Sequence, residues 1–412
     1  MRLVSILICL TACAAAADAF AGEWPQILGP SRNGVAVDES LSHDWPANGP
    51  PRVWERKVGS GLAGVAVAGG KAILFHREGD REVVEALDAT TGRALWKADF
   101  PTSYRASFVD DDGPRCVPVI HEGSVYVFGA QGGLRALELN TGETRWGRET
   151  HKEFGAQEGY FGAGSTPIVV AGRLIVNVGG ARTGAGMVAF DLKDGQTLWQ
   201  AVDDQASYSS PVAYVPNGIV HLICITRLNV VSLDPFTGKV RFQFPFGQRG
   251  PTVNGANPVV VGGRLFLTAS YGVGAVFAQF GSDSAKTLWT SDDILSSQYT
   301  TPIALDGMLY GIDGRQDLGV AELRCIDPAK REVKWSRPEF GYATLILADG
   351  KLLAMKSDGE LVVVRPDPEK YVELARAQLV PGTARALPAL AEGLFYVRDE
   401  KVLRCLDLRA RE

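Results

Sequence analysis

The sequence predicts an all-β protein, an eight-bladed β-propeller, on three observations. A short line ending in Trp recurs along the chain, a Pro-containing template precedes most copies, and the last repeat is split between the two ends of the sequence.

The recurring line is plainest where Ala86-Leu87-Asp88-Ala89-Thr90-Thr91-Gly92 leads to Trp96, and where Ala136-Leu137-Glu138-Leu139-Asn140-Thr141-Gly142 leads to Trp146. Asp191 leads to Gly195 and Trp199, Asp234 to Gly238 and Phe242, and Asp327 to Trp335. Weaker copies run from Val276 to Trp289 and from Val364 to Leu374. Markers fall about 40 to 50 residues apart, the length of one four-stranded blade.

In the second template, Thr166-Pro167, Ser210-Pro211, Asn257-Pro258 and Thr301-Pro302 each open a short alternating strand, and Val117-Pro118 and Leu387-Pro388 are looser versions. Each unit reads as three strands joined by turns, an Asp-x-x-Thr-Gly turn, then a fourth strand. Regular short strands with turn signals indicate a sandwich, barrel or propeller.

The split repeat chooses among these. Cys405-Leu406-Asp407 begins an eighth copy with no Trp after it, and Val53-Trp54-Glu55 is an ending with no beginning. The N-terminal strand therefore completes the last blade and closes the ring, where a linear solenoid would need polar caps. The repeat's Asp accepts backbone N–H groups and its Gly supplies positive φ. Trp54, Trp96, Trp146, Trp199, Trp289 and Trp335 are predicted to dock each blade on its neighbour, burying their rings. WD40 repeats would follow Trp with Asp, but Lys97, Gly147 and Gln200 stand there; the Gly-Gly pairs at 69, 132 and 179 share no position, as kelch repeats require.

Residues 1–21 read as a signal peptide: Arg2, an apolar run to Ala17, then small residues with cleavage after Ala21. A competing reading takes Leu10-Thr11-Ala12-Cys13 as a lipobox, with Cys13 lipidated. Residues 22–50 form an N-terminal extension, and 51–412 form the single propeller domain. No later run is apolar enough to span a membrane. The chain is expected to be exported, periplasmic or secreted, with or without a lipid anchor, and monomeric.

The net charge of −5, without a basic stripe, argues against nucleic acid. The mature cysteines, Cys116, Cys224, Cys325 and Cys405, form no CxxC pair, and Cys325 and Cys405 lie in non-adjacent blades, so free buried thiols are expected.

The A-x-D-x-x-x-G-x-x-x-W line resembles the docking motif of pyrroloquinoline-quinone (PQQ)-like repeat propellers, over roughly residues 50–408. Trp24-Pro25-Gln26-x-x-Gly29-Pro30-x-Arg32-Asn33-Gly34, Asp203-Asp204-x-Ala206-x-Tyr208-Ser209-Ser210-Pro211 and Leu345-x-Leu347-Ala348-Asp349-Gly350-Lys351 resemble a bacterial exported subfamily with this propeller. More distantly, the chain is similar to the propeller lipoprotein of outer-membrane protein assembly and to quinoprotein dehydrogenases. The dehydrogenase resemblance implies PQQ and calcium over the channel. Three departures count against it: there are no adjacent cysteines, the chain is short, and no segment matches their calcium-binding Glu, Asn and Asp. No cofactor and no metal site is therefore expected.

Candidate binding residues lie in the loops from each Trp to the next Pro, which cross one face of the disc. Two are long. The first carries Tyr104, Arg105, Asp110, Asp111, Asp112 and Arg115, and the second carries His151, Glu153, Tyr160 and Phe161. Shorter ones carry Asp203, Asp204, Tyr208, Arg249, Asn254, Gln298, Tyr299, Tyr342 and Arg385. From these, Tyr104, Arg105, Arg115, Glu153, Tyr160, Asp204, Tyr208, Asn254, Tyr299 and Tyr342 are the chosen ligand-binding set. Arg, carboxylate and Tyr together suit a polar ligand or peptide; the same residues also suit a solvated surface. The run 110–112 suggests a hard cation or, equally, a solvated turn. No HExxH, His-Cys cluster or Gly-x-Ser-x-Gly elbow is present. The expectation is a non-catalytic scaffold that binds a protein, peptide or polar ligand at the channel mouth. The alternative is a PQQ-dependent dehydrogenase acting on alcohols or sugars, and a carbohydrate-binding module is a third reading.

Overall fold

A computed structural model describes residues 22–46, 48–108, 111–250 and 252–410. The signal segment, including Cys13, lies outside these residues, as does Asp110. The described chain forms eight antiparallel four-stranded sheets and one short α-helix, Thr150–Phe154. Seven blades are continuous in sequence. The eighth joins Ala389–Ala391, Leu394–Arg398 and Val402–Asp407 to the N-terminal strand Arg52–Lys57, with Trp54 opposite Cys405. The fold is therefore the eight-bladed propeller read from the repeat, closed as the split repeat requires.

Alternation sets the layers. The two middle strands of each blade are mostly buried and alternately face the two neighbouring blades. The fourth strand is largely exposed, as in Ala94–Pro101. The short first strands of neighbouring blades touch one another, as strands ringing a common axis must.

The Asp-Thr-Gly turns behave as their chemistry dictates. One Asp88 oxygen accepts both the N–H and the hydroxyl of Thr90 and of Thr91. These bonds, led by the Thr91 hydroxyl, hold Asp88 below the usual carboxylate range. Each Trp then reaches into the next blade's turn. The indole N–H of Trp54 donates to the Ala89 carbonyl at 2.9 Å, Trp96 to Leu139 at 2.9 Å and Trp146 to Leu192 at 3.0 Å. Trp199 donates to Pro235 at 3.0 Å, Trp289 to Pro328 at 2.8 Å and Trp335 to Asp367 at 2.8 Å. The turn Gly has a second duty beside its positive φ. A Cβ on Gly92 or Gly195 would sit 2.6 Å from the indole of Trp54 or Trp146, so the ring lies flat on a bare backbone. Trp54 and Trp146 are buried, and the other four docking rings keep a partly exposed edge.

The x-Pro template does more than open a strand. The N–H of Val117 donates to the Thr166 hydroxyl, and the N–H of Thr166 to the Ser210 hydroxyl. The N–H of Ser210 donates to Asn257 Oδ1, and that of Asn257 to the Thr301 hydroxyl. The residue before each Pro thus passes one bond to its neighbour, forming an arc around the channel from blade 2 to blade 6. All four of these acceptors are buried, where an unmade bond would cost about 1–3 kcal/mol.

Residues 22–46 pack across the end of the channel remote from the crossover loops. Trp24 pairs with Val67 of blade 1, and the Pro25 carbonyl accepts from Ile120 of blade 2. Gly34 and Ala36 bracket Leu347 of blade 7, and Ser42 donates to Leu408 of blade 8. The segment crosses the axis between blades 2 and 7. The four described cysteines are all buried and unpaired, Cys325 and Cys405 among them. No helix among the described residues is long and apolar enough to cross a membrane.

Candidate functional site

The loops from each outer strand to the next blade's first strand gather on one face, and their side chains mostly hold one another. Buried Arg77 donates to the carbonyls of Tyr104 at 2.7 Å and Asp112 at 3.0 Å, fixing the first long loop. Asp111 accepts from the N–H groups of Gly61 and Gly113, and Asp112 from that of Ala106. These two carboxylates are spent on loop closure. Among the described residues, no three His, Cys, Asp or Glu side chains gather as metal ligands would.

The ten candidate residues separate into three groups. Tyr160 and Tyr208 line a cleft of about 350 Å³ between blades 2, 3 and 4. The Tyr208 hydroxyl accepts the Phe161 N–H at 3.0 Å, and burial pushes its pKa up to about 12. Tyr104, Arg115 and Asn254 stand behind this cleft. Tyr104 is only 2% exposed, and its hydroxyl has no partner. The Arg115 guanidinium lies 6.0 Å from the rings of both Tyr104 and Phe161. Asn254 donates to the Arg227 carbonyl, and its Oδ1 is buried without a partner.

The other five lie apart from the cleft. Exposed Arg105 donates to the Tyr104 carbonyl and sits 3.5 Å from Asp112. Glu153, on the short helix, accepts from Arg148 at 2.8 Å, which holds its carboxyl below the usual range. Asp204 accepts from the Thr226 hydroxyl, the Leu228 N–H and the Asn229 amide. Tyr299 and Tyr342 pack at 4.4 Å, and the Tyr342 hydroxyl accepts the N–H groups of Tyr299 and Thr300. Burial raises both phenols, so neither can serve as a base near neutrality.

The residue that sequence reasoning missed is Phe108. It is 62% exposed at the cleft rim, edge-on to Tyr160 at 5.2 Å and near Phe161 at 6.3 Å. Its signal was a large apolar side chain at the tip of a polar loop. Inside the cleft, Asn177 Oδ1 and His151 Nδ1 are buried without partners, and burial drops His151 to about 4, leaving it neutral. Glu158 and Arg227 are the charged side chains of the lining, and Arg227 is tied to Thr252 and Gly250. A second, shallower cavity of about 620 Å³ adjoins at Thr252 and reaches Tyr271 and Arg315. Together they make a groove over blades 2 to 6, with an aromatic rim at one end and a Tyr–Arg pair at the other.

The cleft offers one carboxylate, and the cysteines are single and buried inside the blades. Its unpartnered groups are the acceptor Asn177 Oδ1 and the His151 Nδ1, with the Tyr104 hydroxyl, which can donate, behind them.

Comparison with known proteins fixes the lineage. The profile of the family described as outer membrane protein assembly factor BamB matches residues 45–202 and 80–337. The Yersinia pestis protein of that name is 22% identical over 318 residues, spanning 63% of this chain and 75% of the relative. The quinohemoprotein alcohol dehydrogenase ADH-IIG of Pseudomonas putida is 33% identical over 130 residues, but these span 31% of this chain and 18% of the dehydrogenase. Among solved structures, BamB from Moraxella catarrhalis superposes with a TM-score of 0.61 at 16% identity, covering 87% of this chain and 99% of that one. Quinohemoprotein alcohol dehydrogenase from Comamonas testosteroni gives 0.60 at 15% identity, covering 96% and 82%. At such identities these superpositions speak for the fold alone. The repeat, the closed ring and the profile match agree that the chain belongs to the PQQ-like β-propeller family described as outer membrane protein assembly factor BamB.

Proposed function

We propose that this chain is a non-catalytic binding scaffold outside the cytoplasm, monomeric, that holds a protein partner or polar ligand against its crossover face. The observation that carries this reading is Phe108, an exposed aromatic propped by Tyr160 and Phe161 at the rim of a preformed cleft. Aromatic residues are enriched at the cores of protein-binding surfaces, where they anchor in pockets of the partner. The polar residues described around it hold loops in place, and among them no nucleophile–base pair is formed. The relatives named for outer-membrane protein assembly support a protein partner, in the periplasm, with Cys13 as the lipid anchor or cleavage after Ala21. No quinone and no calcium enter this reading.

The test is a pair of photocrosslinking positions in the full chain in its native host. A benzophenone side chain at Phe108 is expected to capture one defined partner. The same group at Phe236, which is exposed on the turn between the third and fourth strands of blade 4 on the opposite face, is expected to capture none. Equal capture at both positions, or none at Phe108, defeats the assignment of the face. Purified protein that takes up PQQ with calcium and reduces dye with an alcohol defeats the non-catalytic reading.

A further inference from the structure

The motif around Arg32 is not absorbed by binding at the crossover face. Arg32 belongs to the segment that crosses the far end of the channel, and it is 3% exposed. Its side chain runs up the channel to the start of blade 3's first strand. There Nη1 donates to the Pro167 carbonyl at 2.8 Å and to Gln26 Oε1 at 2.9 Å, and Nη2 donates to the Thr166 carbonyl at 2.9 Å. Nε is buried without a partner. No carboxylate among the described residues pairs with this guanidinium, and burial drops it to about 9. It is still a cation at neutral pH, answered only by neutral oxygens. A buried charge left in that condition is costly unless something pairs with it.

Beside it lies a space for a counter-charge. The crossing segment lies against blades 1, 2, 7 and 8 and leaves a cavity of about 290 Å³ facing blades 4, 5 and 6. Arg32 lines this cavity. The remaining wall is mostly apolar, with Val212, Val259, Val260 and Ala304 from the first strands and Val35 from the segment. One buried cation against an apolar wall matches an amphiphile with a single negative end. We propose that this cavity binds an organic carboxylate, its charged end on Arg32 and its apolar body against Val212, Val259 and Val260.

The carboxylate has two chemical sources, a free small acid or the C-terminus of a peptide, and the test separates them. The full chain is titrated by calorimetry and thermal melting with sodium hexanoate, with hexanamide, and with acetyl-Val-Val-Leu ending in either a free carboxylate or an amide. Sodium phosphate at equal ionic strength is the inorganic control. Hexanoate or the free-ended tripeptide is expected to bind and raise the melting temperature, at least tenfold tighter than its uncharged counterpart. Tighter hexanoate identifies a free acid, and tighter tripeptide a chain terminus; both support the site. Arg32→Met is expected to abolish the response. Should that variant fail to fold, Ala304→Phe, which fills the cavity from blade 6 and leaves Arg32 in the sequence, is expected to abolish it as well. No carboxylate-dependent response, an equal response to amides or phosphate, or a response that survives Ala304→Phe overturns the proposal.

Discussion

The seams of the ring divide into two halves. At the seams from blade 8 to blade 4, every docking Trp lies on a turn Gly and donates to that turn's carbonyl, with Gly92, Gly142, Gly195 and Gly238 beneath Trp54, Trp96, Trp146 and Trp199. From blade 4 to blade 8 the pairing decays. Phe242 stands in for Trp and packs on Phe280 of the next blade at 6.0 Å. Trp289 and Trp335 keep the indole bond, but their turns lack the Gly, and Arg331 takes the left-handed conformation at φ 56°. At the last seam Leu374 occupies the marker position and packs in the core shared by blades 7, 8 and 1. The indole-to-carbonyl bond is therefore the constant of the docking, kept wherever the Trp is kept. The Gly is what permits the ring to lie close, and it varies.

The largest effect that would break this comparison is removal of a Trp on the regular side. Trp146→Ala deletes a buried ring and strands its carbonyl acceptor, and is expected to destabilise by about 3–5 kcal/mol, read as a lowered midpoint in urea. Gly195→Ala leaves the Trp in place but forces a Cβ against it at positive φ. It should cost about 2 kcal/mol, whereas substitution at Gly172, which also has positive φ but open space around its Cβ, should cost about 1 kcal/mol. A smaller difference between the two would mean that the flat docking contributes little.

Acid separates the halves next. His221 is fully buried in the aromatic seam between blades 4 and 5, beside Phe242 and Phe280, with Nδ1 2.9 Å from the Ser232 hydroxyl. Burial lowers its pKa, as it lowers His76 and His151 to about 4. The unfolded chain binds these protons near pH 6.5 and the folded chain refuses them, so stability falls as pH drops below about 6.5. Asp88 is lowered too and also loses stability in acid, but at lower pH: its stabilisation is complete above its unfolded value and is lost as pH falls through its depressed folded value. His221→Phe should therefore flatten the melting profile below about pH 6.5, and amide exchange should place that change at the blade 4–5 seam. An unchanged slope would assign the acid sensitivity to His76 and His151. The smallest effect is expected at Arg331→Gly, which relieves a left-handed non-Gly residue and should stabilise by about 0.5 kcal/mol.

The fold was legible because its defining residues repeat. Trp, Gly and Asp recur at one register, and the unmatched ends at Trp54 and Asp407 announce the closure. The arc of pre-proline bonds was visible as Thr166, Ser210, Asn257 and Thr301, but its meaning needed the ring, since each bond joins two blades. The candidate site was less legible. Loop position and polarity selected Asp204 and Tyr342, yet Asp204 gathers three donors from a turn of blade 4 and Tyr342 caps the backbone of residues 299 and 300. Polar residues in loops serve the loop first, and no sequence pattern separates that service from ligand binding. Phe108 and Arg32 depart from what their surroundings call for, one apolar and exposed, the other charged and buried.

The non-covalent closure of blade 8 also sets the order of assembly. The strand Arg52–Lys57 precedes every other described strand, and its partner Val402–Asp407 follows them all, so the two are made far apart in time. Blades 1 to 7 are local in sequence and can pair as they emerge, whereas the eighth depends on one of the longest-range contacts in the chain, Arg52 against Leu406. Until that contact forms, an unsatisfied strand edge stands open at the C-terminal side of the gap, available to any other extended chain. The interval between the first strand and the last is thus when the protein is most vulnerable to mispairing and domain exchange.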